Sequence, residues 1–119
     1  MKASIEVKDN IILRLFKGDV YLEDIIESWE EVFEKFDDLS LYKGVVTDFL
    51  EAELHHEDNN MNILIDYMKG YIERMNDLKI AVVMDSPHVT NTIMLGQKMK
   101  HVQIRPFTTQ KAAINWVNV

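Results

Sequence analysis

A chain of 119 residues without cysteine has room in one domain, residues 1–119, for a core that needs no covalent staple. It excludes a disulfide framework, a thiolate metal site and a thiol nucleophile. The net charge of −7 argues against nucleic acid, which needs a basic footprint, and apolar runs of five or six residues at most are too short to span a bilayer.

The chain enters a strand pattern at once, Ser4 to Lys8, with no apolar signal region before it, so the expected setting is cytoplasmic. Ile11 to Phe16 is a second apolar run. Asp9-Asn10 between them suits a tight hairpin turn, because both residue types tolerate positive φ. Gly18 is expected to end the pair. Apolar residues then recur at Tyr21, Leu22, Ile25, Ile26, Trp29, Val32, Phe33 and Phe36, the three-four spacing of one amphipathic helix with acids on its other side. Trp29 and Phe33 are expected in the core. Gly44 to Phe49 reads as a third strand, and Leu50 to Glu57 as an acidic connection. Asp58 or Asn59 can cap a second helix, whose stripe is Met61, Leu64, Ile65, Met68, Tyr71, Ile72 and Met75. Gly70 in its middle weakens it by roughly 1 kcal/mol relative to alanine.

Leu78 to Met84 is too densely apolar for a half-wet strand, and Ile80–Val83 is expected inside the sheet, buried on both faces. Ser86 then stands where an N-cap belongs and Pro87 at the first helical position. A helix from Pro87 to about Lys100 follows, then a strand from His101 to Phe107, and a short closing helix from Thr109 to Val117 holding Trp116. Pro106 places that last strand at an edge or a strand end. The order β-β-α-β-α-β-α-β-α predicts an α/β fold: a mixed five-stranded sheet, with an N-terminal antiparallel hairpin and then parallel βα units, flanked by four helices.

This order and its local texture resemble the SpoIIAA-like group, single-domain relatives of the sulfate-transporter and anti-sigma-factor-antagonist (STAS) fold. The resemblance is carried by Val45–Phe49, Ala81–Pro87, Val102–Phe107 and the Ala113-Ile-Asn-Trp116 ending, and it covers nearly the whole chain. It implies a non-enzymatic fold used for protein regulation and, in related groups, for binding apolar or lipid-like ligands. One departure matters. Phosphoswitch members carry an Asp-Ser-x-Gly element after the third strand, whereas here Asp48 is followed by Phe49-Leu50-Glu51. The serine switch is therefore not carried over, and like charge at Glu51 and Glu53 would oppose a phosphate.

Strand C-terminal ends in an open α/β sheet face a crevice where helix N-termini offer unpaired amides. Asp48, Asp85, Ser86 and His88 are the polar groups placed nearest that end, and Met61 and Met68 can supply apolar lining. These six are the expected ligand-binding residues. Simple capping by Ser86 and Asp85, a methionine core, and pairing of Arg105 with Asp48 or Asp85 are the plainer alternatives. His55-His56-Glu57-Asp58 reads as a solvated acidic loop, since adjacent histidines diverge and the sequence does not place further ligands. No metal and no cofactor is expected.

Charge is uneven: nine acids and one base lie between Asp19 and Asp38, against five bases and one acid from Lys79 onward. The acidic stretch reads as a solvated helix face or as a surface for a basic partner. The expectation is a non-catalytic binding or regulatory module engaging a protein partner, a second copy of itself or a small apolar, lipid-like ligand. A small enzyme working at Asp48, Asp85, Ser86 and His88 and a peripheral, membrane-associated lipid-binding protein stay open as alternatives.

Overall fold

The computed structural model describes residues 3–55, 60–85, 93 and 96–119. Its elements are β1 (Ala3–Lys8), β2 (Ile11–Val20), α1 (Leu22–Lys35), β3 (Gly44–Leu54), α2 (Asn60–Lys69), β4 (Lys79–Val83), β5 (Gln103–Phe107) and α3 (Gln110–Asn118). A single 3-10 turn, Leu39–Leu41, leads into β3. Ile93 and residues 96–98 are helical, within the helix expected from Pro87 to Lys100; residues 86–92 lie outside the described residues.

The strands lie in chain order, β1-β2-β3-β4-β5. β1 and β2 are antiparallel and every other pair is parallel, the mixed sheet that the element order predicts. Asp9 and Asn10 form the hairpin turn with φ of 54° and 64°, the left-handed pair that matches the twist of the flanking strands. Each parallel crossover steps one strand further in the same direction. Right-handed crossovers therefore put their helices on one face of the sheet. On that face Trp29, Val32 and Phe33 of α1 and Leu64, Ile65 and Met68 of α2 pack on Ile12, Phe16, Val45, Phe49, Ile80 and Val82. After β5 the chain returns across the opposite face as α3, where Ala113 and Val117 cover Ile11, Leu13, Val46, Ala81 and Val83. β4 thus buries both its faces, as its composition predicts, and β5 with Pro106 is an edge strand.

Two elements run differently from their sequence patterns. β2 does not stop at Gly18, and Leu50–Leu54 is strand rather than connection: β2 and β3 stay paired as far as Val20↔Leu54. Between the pairs Leu15↔Asp48 and Lys17↔Glu51 the register shifts, so that Phe49 and Leu50 together face Phe16 alone. This is a β-bulge, and Gly18 just beyond it adopts φ +76°, which a glycine takes at no steric cost. The second departure is α2, which ends at Lys69. Gly70, Tyr71 and Ile72 donate to carbonyls three residues back, a tight winding that still delivers Met75 to the core at 0% exposure.

Tight helix–sheet approach makes Gly44 sensitive. A Cβ built there would stand 2.5 Å from the Lys79 carbonyl oxygen and 2.9 Å from Val117 Cγ1. Backbone of β4 cannot yield without breaking its ladder with β3. Gly44→Ala is expected to destabilise by about 1–3 kcal/mol, the usual cost of overpacking. Gly18→Ala, a strained position with open space around it, should cost less. Denaturation midpoints that rank the two the other way would overturn the close β3–β4–α3 contact.

Candidate functional site

The pairing of β3 with β4 ends at the register partners Asp48 and Val83, where β4 stops while β3 continues to Leu54. Asp48 alternates with Val46 and so stands on the α3 face. Its Oδ1 accepts the Leu50 backbone N–H at 2.8 Å, and its Oδ2 accepts Gln110 Nε2 at 2.9 Å. The first bond satisfies an amide that the bulge removes from the ladder, and the second ties β3 to the first turn of α3. Asp85 is exposed, two residues past β4. Arg105, exposed on β5, lies with its guanidinium carbon 5.7 Å from the Trp116 ring centroid. Among the described residues no ion pair joins Arg105 to Asp48 or Asp85. Met68 is buried at 1% exposure in the cluster beneath α1 and α2, so the sheet separates it from Asp48. Met61 belongs to the first turn of α2. Ser86 and His88 lie outside the described residues, as do the 56–58 part of the His55–Asp58 stretch and the Met61 side chain.

A polar centre that sequence reasoning missed sits under α1. Arg14 on β2 is 1% exposed, flanked along its strand by Ile12 and Phe16 on the same face. Its Nε donates to Ser28 Oγ at 2.9 Å, Nη1 to Thr47 Oγ1 at 3.1 Å and Nη2 to the Ile25 carbonyl at 3.2 Å. The guanidinium lies 4.1 Å from the Trp29 ring centroid and 5.3 Å from that of Phe16. All three acceptors are neutral. Desolvation by burial pulls the Arg14 pKa down from the ordinary guanidinium range to about 9, still far enough above neutrality to keep the charge. Nearby, the Tyr67 hydroxyl is buried with no hydrogen-bond partner among the described residues, and burial pushes its ionisation up. At neutral pH Arg14 is a fixed cation beside a neutral phenol, and its three hydrogen bonds tie β2 to α1 and β3. The available sequence signal was parity, since an arginine at every second position with Ile12 and Phe16 must share their buried face.

Two further side-chain clamps close the ends of α1. Arg74, in the turn after α2, donates through Nη2 to the carbonyls of Phe33 and Phe36, each at 2.8 Å, supplying donors to carbonyls that the helix end leaves unpaired. At the other end the Asp24 carboxylate accepts the Tyr21 backbone N–H at 2.8 Å.

The outer face of α1 is the opposite in character. Glu23, Glu27, Glu30 and Glu34 are all exposed and, three or four apart, line up along one side of the helix. Their spacing is what remains when Trp29, Val32 and Phe33 are turned to the core. Among the described residues no helix is long and apolar enough to cross a membrane.

No protein-family model matches the chain, and no curated protein matches its sequence. Solved structures do resemble it. An uncharacterised protein of the DUF3478 family with a SpoIIAA-like fold, from Shewanella loihica PV-4, superposes with a TM-score of 0.62 at 15% identity, covering 97% of this chain and 91% of that one. The anti-sigma factor antagonist SpoIIAA in its unphosphorylated form superposes with a TM-score of 0.52 at 11% identity, covering 98% and 97%. Strand order, the single antiparallel pair and the helix placement described above make the same statement from within the molecule: the chain has the SpoIIAA-like fold of the STAS type.

Proposed function

We propose that the protein is a non-catalytic, cytoplasmic binding module for a protein partner, and that a basic surface of that partner docks on the outer face of α1. The observation that carries this reading is the row Glu23, Glu27, Glu30 and Glu34, exposed along one helix. Like charges at i,i+4, here Glu23 with Glu27 and Glu30 with Glu34, cost a helix about 0.2–0.5 kcal/mol per pair. Nothing in the packing of α1 requires them, since its core face is complete without them. A one-signed row of this kind raises the encounter rate with an oppositely charged surface. The fold of an anti-sigma factor antagonist supports a protein partner in general terms.

The test is a charge reversal at the centre of the row. A partner retained from extract of the native host by the immobilised protein should associate roughly tenfold more slowly with the Glu27→Lys/Glu30→Lys variant. It should also dissociate as salt rises. Both residues are exposed, so the thermal midpoint of the variant should hold. Retention of the partner by the reversed protein at undiminished rate and salt dependence would remove α1 as the docking face.

A further inference from the structure

β2 and β3 project as a two-stranded parallel ribbon beyond the rest of the sheet. β4 pairs with β3 only as far as Val83↔Asp48, whereas β2 and β3 remain paired through Asp19↔Glu53 and Val20↔Leu54. One side of the ribbon is apolar: Val20, Ala52 and Leu54 pack against the core under α1. The other side is charged. Its first rung is balanced, Lys17 Nζ standing 3.9 Å from Glu51 Oε2. The next rung sets Asp19 directly opposite Glu53, two carboxylates on strands about 4.8 Å apart, which is repulsive. His55, two residues beyond Glu53 and so on the same side, places Nε2 at 2.9 Å from Asp19 Oδ1. Its ring is stacked on Tyr21, with centroids 4.8 Å apart and planes at 17°. One donor atom from each of Asp19, Glu53 and His55 lies within 4.8 Å of the other two.

We propose that Asp19, Glu53 and His55 form a binding site for a divalent first-row transition-metal ion of the Zn²⁺ type. Bonds of about 2.0–2.2 Å to imidazole nitrogen and carboxylate oxygen put two ligand atoms on one ion roughly 3.0–3.5 Å apart at tetrahedral or octahedral angles. The His55–Asp19 separation of 2.9 Å is already close to that. Ladder register fixes where the two carboxylates start, and Tyr21 holds the imidazole plane. A dication neutralises the repulsive rung, which a hydrogen-bonded imidazole does only in part. The imidazole ligand sets the selectivity, because Mg²⁺ and Ca²⁺ take oxygen ligands while first-row transition ions accept nitrogen. Side-chain exposures of 63% for Asp19 and 39% for His55 leave the remaining coordination positions to water. Sequence reasoning stopped at the neighbouring histidines and had no means of knowing that Asp19, 36 residues from His55, comes alongside.

The experiment is an NMR titration of the full chain with Zn²⁺, and with Mg²⁺ as the competing ion, on wild type, Asp19→Asn, Glu53→Gln and His55→Ala. All three positions are on the surface, so the variants keep the fold, which the rest of each spectrum verifies. The expected result is a saturable Zn²⁺ shift of the His55 ring and of the amides at 19, 53 and 55, without an equal response to Mg²⁺. Each substitution should weaken Zn²⁺ binding at that cluster by roughly tenfold or more. An equal response to both ions would reduce the cluster to an unselective acidic patch. Zn²⁺ shifts that bypass these residues, or survive Asp19→Asn and Glu53→Gln undiminished, would leave His55 and Asp19 as a hydrogen-bonded pair and overturn the site. Neither outcome bears on the outer face of α1, which is a separate surface.

Discussion

Arg14→Ala should destabilise the protein by about 3–5 kcal/mol, the range for emptying a large buried site, and Arg14→Met should cost clearly less. Alanine removes the side chain that fills the space between β2, β3 and α1. It also strands three groups, the Ser28 and Thr47 hydroxyls and the Ile25 carbonyl, which Arg14 now satisfies; a buried polar group left unpaired costs about 1–3 kcal/mol. Methionine strands the same groups but refills most of the volume. It also relieves the desolvation of a full charge, the effect that lowers the Arg14 pKa to about 9. No carboxylate offsets that charge in any ion pair among the described residues, and burying a charge without an ionic partner is costly. Urea denaturation of the two variants, with unchanged slope to certify the same unfolding transition, separates the contributions. Equal losses for alanine and methionine would show that hydrogen bonds rather than filled volume and charge burial decide the effect.

How much of this was legible beforehand depends on whether the governing interaction is local. The Asp9-Asn10 turn, the three-four stripe of α1 and the double-sided burial of Ala81–Val83 are written in neighbouring residues, and each stands where the pattern puts it. Residues 50–54 failed that reading because Glu51 and Glu53 look like a solvated connection. Their pairing partners, Lys17 to Val20, are supplied by a distant part of the chain, and tertiary pairing overrides weak strand propensity. Gly18 misled for a related reason, since an isolated glycine marks a strand end or an irregularity within a strand equally well. The candidate site divides in the same way. Asp48 was expected at a strand end but lies within β3, which runs on to Leu54, at the point where β4 stops pairing with it, and its partner Gln110 comes from 62 residues away. Arg14 carried a readable parity signal, but arginine is so rarely buried that only its bonds to Ser28 and Thr47 explain its place.

Trp29→Ala should also destabilise by roughly 3–5 kcal/mol, as for other core aromatics, and its cost should depend on Arg14. Trp29 is 3% exposed. One side of its ring carries the Arg14 guanidinium at 4.1 Å from the centroid, while Phe33 stacks at 5.8 Å. A cation over an indole in a desolvated site gains about 2 kcal/mol, against half that or less in water. The double-mutant cycle of Trp29→Ala with Arg14→Met isolates this term, since both residues lie in one network and their losses are not additive. The expected coupling is about 1–2 kcal/mol, so that Trp29→Ala costs less in the methionine background than in wild type. Strict additivity would mean that Trp29 fastens α1 to the sheet through area alone, with the cation a bystander. An unchanged midpoint for Trp29→Ala by itself would be more damaging, because it would detach the aromatic stripe of α1 from the core and with it the outward orientation of Glu23, Glu27, Glu30 and Glu34 on which the docking face depends.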